Sequence, residues 1–140
     1  MKLIVLDTNV LVAAARSNRG ASSLLLDELA REPRFGICIS VPLVMEYEMA
    51  LKRSSGLGAV EAERIVDYLC WVGDKREIYF LWRPFLRDPR DEMVLEVAVE
   101  ARAHAIVTHN VRDFQGVEER FGIRVLRPGD FLIELEEEAP

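Results

Sequence analysis

The sequence predicts a three-layer α/β/α fold around a parallel sheet of four to five strands, in one domain over residues 1–133. Three observations carry that reading. Short apolar runs without polar alternation, Leu3-Ile4-Val5-Leu6 first among them, suit strands covered on both faces. Segments with apolar residues at helical spacing alternate with those runs along the chain. The first run also stops at a lone acid, Asp7, and after Thr8-Asn9 the apolar Val10–Ala15 is ready to start a helix, a strand–turn–helix unit.

Taken in order, Arg16-Ser17-Asn18-Arg19-Gly20 breaks the first helix. Ser22 or Ser23 offers an N-cap for a second, running through Leu24, Leu25, Leu29 and Ala30 and ending near Pro33. Phe35–Val41 reads as strand two, and Pro42 suits the first position of a helix from Leu43 to about Arg53. After the loop Ser54–Gly58, the residues Ala62, Ile65, Val66, Leu69 and Cys70 repeat at helical spacing, with Gly73 as the stop. Glu77–Trp82 (E-I-Y-F-L-W) reads as strand three. Asp88-Pro89-Arg90-Asp91 opens a helix striped by Val94, Val97, Ala98 and Ala101. Ala105–Thr108 is strand four, Asn110–Asp113 a loop, Ile123–Leu126 strand five, and Pro128 starts a short last helix. The acidic end, residues 134–140, is expected to fray as a tail.

Of the 140 residues half are hydrophobic and 30% are charged, as in ordinary globular proteins. No apolar stretch approaches membrane-spanning length, and the first run lacks the flanks of a signal peptide, so a bacterial or archaeal cytosol is the expected location. Cys38, in a strand, and Cys70, on a helix face, are expected as small buried hydrophobes and not as a disulfide. The net charge of −6 is unfavourable for a phosphate-rich partner unless bases cluster or cations screen the acids.

The placement of acids resolves that tension. Glu46 lies three residues after Leu43 and four before Ala50, on the face expected to be buried with Tyr47; Glu48 points elsewhere. Asp91 continues the stripe 91, 94, 98, 101 at its N-terminal end. Each acid also has an ordinary use: Asp7 as a helix cap, Asp88 and Asp91 in a capping box, Glu46 at the core rim, Asn110 and Asp113 in a turn; of the pair, Asp88 is assigned to the cap and Asp91 is kept as a site candidate. Their joint placement is the informative part. Asp7, Glu46, Asp91 and Asn110/Asp113 each follow a different strand, and in a parallel sheet those exits lie along one edge. Carboxylates brought that close raise one another's pKa unless a cation neutralises them. An all-oxygen set without Cys or paired His favours Mg²⁺ or Mn²⁺ over Zn²⁺, and His104 and His109, which flank one strand, are expected to be non-ligands. Such a site suits metal-assisted phosphodiester hydrolysis. Arg16, Arg19, Lys52, Arg53, Arg87 and Arg90 fall in segments able to rim it for a flexible single strand.

Four stretches, V-L-D-T-N-V-L-V at the start, P-L-V-M-E-Y-E, D-P-R-D-E-M-V-L-E-V-A and I-V-T-H-N-V-R-D-F, together resemble the PIN-domain family over nearly the whole chain. The nearest branch is similar to the VapC toxins of toxin–antitoxin pairs. The resemblance implies a PIN-like fold and a Mg²⁺- or Mn²⁺-dependent endoribonuclease acting on single-stranded RNA. It also implies a homodimer and inhibition by a small antitoxin protein. Its acids carry over as Asp7, Glu46 and Asp91, with Thr8, Asn9, Thr108 and Asn110 in support. Many relatives have Asp where this chain has Asn110, so either Asp113 supplies the fourth acid or a second metal site is weak. A phosphatase of the haloacid dehalogenase type would need an Asp at position 9, and no glycine-rich phosphate loop is present. The rival from another class is a PIN-like module that binds RNA or protein without cutting.

Overall fold

The computed structural model describes residues 1–31 and 34–138. Five strands, β1 (Lys2–Leu6), β2 (Phe35–Ile39), β3 (Asp74–Lys75), β4 (Ala105–Val107) and β5 (Arg124–Leu126), form one all-parallel sheet in the order β3-β2-β1-β4-β5. The helices are α1 (Thr8–Arg16), α2 (Ala21–Arg31), α3 (Val41–Ser54), α4 (Ala59–Val72), α5 (Glu92–Ala101), α6 (Val117–Phe121) and α7 (Pro128–Glu137). From β1 the chain steps outward through β2 to β3, then returns to add β4 and β5 on the other side. Right-handed crossovers therefore send the helices of the two halves to opposite faces, giving the three layers expected. They also leave a reversal of strand order between β1 and β4, the place where open parallel sheets open a crevice.

The central strands are buried: Ile4, Val5 and Leu6 of β1 and all of β4 are covered, as their unbroken apolar runs require. α5 is apolar nearly all round and lies across β1, β2 and β4. Tyr47 on α3 is wholly buried and donates its hydroxyl to the Leu6 carbonyl, while Phe35 meets Phe131 of α7 edge-on at 5.3 Å. Cys38 is buried and Cys70 half-buried, and both are free thiols, as expected.

The largest departure from the sequence reading is the third strand. Residues 77–82 form no strand; pairing stops after Cys38–Asp74 and Ile39–Lys75, with one more bond from the Arg76 amide to the Ile39 carbonyl. β2 ends at Ile39, and at Ser40 the chain turns into α3, so nothing continues the ladder beside Glu77–Trp82. Its aromatic, β-prone composition has no partner strand to satisfy it.

Smaller differences concern helix starts. α1 begins at Thr8 with Asp7 as its cap, and α3 begins at Val41 behind Ser40, whose Oγ accepts from the Leu43 amide at 3.3 Å. α2 begins at Ala21, so Ser22 and Ser23 lie inside its first turn; the expected stop at Pro33 lies outside the described residues. The acidic end is the last turns of α7, through Glu137. It does not begin to fray at 134, because Glu134 binds Lys2 at 2.7 Å and His104 at 2.6 Å, and Arg124 as well. No helix among the described residues is long and apolar enough to cross a membrane.

Candidate active site

At the reversal of strand order, β1 and β4 exit side by side, and each delivers a polar residue at once. Asp7 follows β1 and Thr108 follows β4; both are buried, Asp7 only 3% exposed. Thr108 Oγ1 donates to Asp7 Oδ2 at 2.8 Å, and the Thr8 amide donates to Asp7 Oδ1 at 2.8 Å. Thr8 Oγ1 adds a longer contact of 3.4 Å. Asn9 bridges the two exits, its Nδ2 to Thr108 Oγ1 at 3.3 Å and its Oδ1 to the His109 amide at 3.2 Å. The D-T-N motif and Thr108 thus fix one carboxylate from both sides. Capping and site roles coincide in Asp7.

Glu46 on α3, Asp91 at the start of α5, and Asp113 in the 3₁₀ turn Val111–Phe114 line the same pocket of about 300 Å³ as Asp7, with Arg53 and Arg90 also in its wall. Asp88, not Asp91, does the capping here. Its Oδ1 accepts from the Arg90 amide at 2.9 Å, and its carboxylate pairs with the Arg90 guanidinium at 3.1 Å. Asp91 makes no side-chain cap bond, which agrees with assigning the cap to Asp88 and keeping Asp91 for the site; it is 8% exposed and its Oδ2 has no hydrogen-bond partner.

The electrostatics follow. Burial raises the Asp7 carboxyl, hydrogen bonds from Thr108 and Thr8 partly pull it back, and the charge of Asp113 raises it further. Asp91 is pushed up to about 7, by burial first and then by the charges of Asp7 and Asp113. The pocket is a place where negative charge is uncomfortable.

The residues suit a hard divalent cation: every donor is oxygen, and Asp91 Oδ2 is buried with nothing to bind. Among the described residues no group of three or more His, Cys, Asp or Glu side chains is already arranged to hold a metal ion. A cation here would keep waters in much of its shell, as Mg²⁺ commonly does with one or two carboxylates.

Of the alternatives for the fourth acid, Asp113 lies in the pocket. Asn110 lines a neighbouring cavity, and its amide donates to Thr108 Oγ1 at 3.0 Å. His104 is held by Glu134, and His109 Nε2 meets buried Ser22 Oγ at 2.6 Å. Among the arginines, Arg90 and Arg53 border the pocket and Arg87 the neighbouring cavity, whereas Arg16 and Arg19 line neither. Lys52 is engaged by Glu48 and Glu63.

The sequence reading missed two acids that brace the site. Glu92 Oε1 accepts the amides of Phe85 and Leu86, both at 2.7 Å, and Glu96 takes Arg83 in a two-pronged grip at 2.9 Å per contact. Both are buried on α5, directly after Asp91. Their signal was present: acids four apart in a helix too apolar to show a solvent face must be buried with partners.

The sequence model of the PIN domain family matches residues 3–112. No curated protein sequence matches the chain. Among solved structures, VapBC-1 from nontypeable Haemophilus influenzae is similar at a TM-score of 0.62 with 16% identity, covering 91% of this chain and 98% of that one. DNA-bound VapBC from Salmonella typhimurium gives a TM-score of 0.60 with 20% identity, covering 91% and 99%. VapBC2 from Rickettsia felis, bound to a DNA fragment from its promoter, gives 0.59 with 17% identity, covering 89% and 97%. At these identities the likeness is one of fold.

Proposed function

The chain belongs to the PIN-domain family, and on that premise we propose that it is a Mg²⁺- or Mn²⁺-dependent endoribonuclease cleaving single-stranded RNA. The observation that supports this reading is the pocket lined jointly by Asp7, Glu46, Asp91 and Asp113, four acids from four separate segments. These side chains would hold the cation. When bound, it supplies the positive charge that steadies the phosphate oxygens and the acidity that readies a water for in-line attack. Thr108 and Thr8 orient the Asp7 carboxylate, and Asn9 ties the β1 and β4 exits together so that this orientation survives substrate entry. Arg53 at the pocket wall draws in the phosphate backbone, with Arg90, paired to Asp88, beside it. The recess favours a strand that can bend, and hence single-stranded RNA over a duplex.

The solved neighbours carry the name VapBC, and that supports reading this chain as the toxin-like half of a toxin–antitoxin pair, a homodimer held in check in the cytosol by a small antitoxin. The test is cleavage of a single-stranded RNA in Mg²⁺ or Mn²⁺, with EDTA as the blank. Asp7→Asn and Asp91→Asn are each expected to lower the rate by orders of magnitude. RNA binding without cleavage in either metal would instead make the chain a non-catalytic binding module.

A further inference from the structure

Beside the acidic pocket, and sharing Asp113 with it, lies a larger cavity of about 880 Å³ walled by Phe85, Arg87 and Arg112, with Glu118 and Glu119 also in its lining. We infer that this cavity and the aromatic ladder leading into it form a base-stacking platform for the single-stranded RNA that flanks the scissile phosphate. The inference rests on the nuclease reading above and extends it to how substrate is held.

The ladder begins in the cavity wall. Phe85 packs tilted against Phe121 at 5.2 Å, Phe121 meets Trp82 edge-on at 5.4 Å, and Trp82 lies 6.3 Å from Phe80, again tilted. The Arg120 guanidinium sits over both Phe121, at 5.2 Å, and Trp82, at 5.9 Å. At its outer end the ladder is uncovered: Phe80 is 68% exposed and Trp82 38%, with Tyr79 beside them at 71%. A row of exposed rings with no sheet partner forgoes the burial that aromatic side chains ordinarily gain.

The ladder is nevertheless anchored. The grips of Glu96 on Arg83 and of Glu92 on the Phe85 and Leu86 amides fix the base of the segment to α5, the helix that carries Asp91 at its head. Platform and acidic pocket are thus referenced to one rigid element, which is what positioning a substrate requires.

The chemistry favours a nucleic acid strand as occupant. Arg83 and Arg90 are paired with Glu96 and Asp88. Arg87 and Arg112 are exposed and form no ion pair among the described residues. Free arginines beside stackable rings are what single strands use: cations for phosphates, π-faces for any base. Glu118, Glu119 and Asp113 share the lining with these arginines, so the rings carry the contact with the strand and Arg87 and Arg112 take its phosphates.

The test uses the native fluorescence of Trp82. The chain has two tryptophans, and Trp71 is 83% exposed on α4, so Trp71→Phe leaves Trp82 as sole reporter with little disturbance. A single-stranded RNA of about 12 nucleotides, within the span such surfaces cover, is titrated in EDTA so that no cleavage occurs. Quenching of Trp82 is expected, and Phe80→Ala, Tyr79→Ala and Arg87→Gln are each expected to weaken Kd about tenfold or more. In Mg²⁺ the same variants are expected to raise KM and leave kcat unchanged. No quenching, or Kd unchanged within about twofold in Phe80→Ala and Tyr79→Ala, overturns the platform. So does Phe80→Ala abolishing self-association at unchanged RNA affinity, which would give the face to a second copy of the chain. Cleavage of the same RNA in Mg²⁺ reports separately: quenching without cleavage sinks the nuclease reading and keeps the platform, and cleavage without quenching does the reverse.

Discussion

Replacing Asp91 by Asn is expected to stabilise the metal-free protein at neutral and alkaline pH. The carboxyl, ordinarily near 3.8, is pushed up to about 7 by burial and by the charges of Asp7 and Asp113. A folded-state pKa above the unfolded one means the folded protein holds a proton that the unfolded chain has released. Stability is therefore lost as pH rises from about 4 to about 7, and the loss is complete above that window. At 1.36 kcal/mol per pH unit, the shift from 3.8 to about 7 sets a ceiling of about 4 kcal/mol. Water in the open pocket screens part of this, so about 1–2 kcal/mol is expected, or roughly 3–7 °C in Tm for a domain of this size. The substitution removes no cap, since Asp91 makes no side-chain cap bond. The assay is urea or thermal unfolding of both proteins in EDTA from pH 4.5 to 8.5. The difference should be near zero at the acid end and grow through neutrality, and Mg²⁺ should restore stability to the parent more than to the variant. A variant less stable at pH 8, or a difference indifferent to pH, would refute the reasoning.

Three further outcomes follow from the same contacts. Glu92→Ala strands the Phe85 and Leu86 amides and is expected to cost about 2–4 kcal/mol by denaturant unfolding, with Glu92→Gln milder because it keeps an acceptor. Glu48→Gln, which removes only an exposed pairing with Lys52, is expected to change stability by less than about 0.5 kcal/mol and leave cleavage intact. Burial works to raise the Glu134 carboxyl, but hydrogen bonds from Lys2 and His104 prevail and hold it at about 2. Its stabilising effect is present above the unfolded value of 4.5 and is lost as pH falls toward 2, so Glu134→Gln should flatten the acid limb of the stability profile in that window.

Most of the architecture was legible in the residues because both faces of a parallel sheet are buried. Unbroken apolar runs at Leu3–Leu6 and Ala105–Val107 leave few other readings. The acids of the pocket were legible for a related reason: Glu46 and Asp91 stand on faces whose other members are buried, where a charge needs a purpose. Glu77–Trp82 misled because β-propensity describes a residue's fit to a sheet and not the presence of a neighbouring strand, and β2 turns away at Ser40.

By itself the sequence determined the alternation of strands and helices, the buried faces, and which acids belong near the strand exits, since all of these follow from local periodicity. Only the tertiary structure decided that Asp113 and not Asn110 shares the pocket, that Asp91 is left with an unpartnered buried oxygen, and that Glu92 and Glu96 anchor an exposed aromatic row beside it. Those outcomes depend on angles and distances between segments far apart in the chain, and the spacing of residues along one segment carries no information about them.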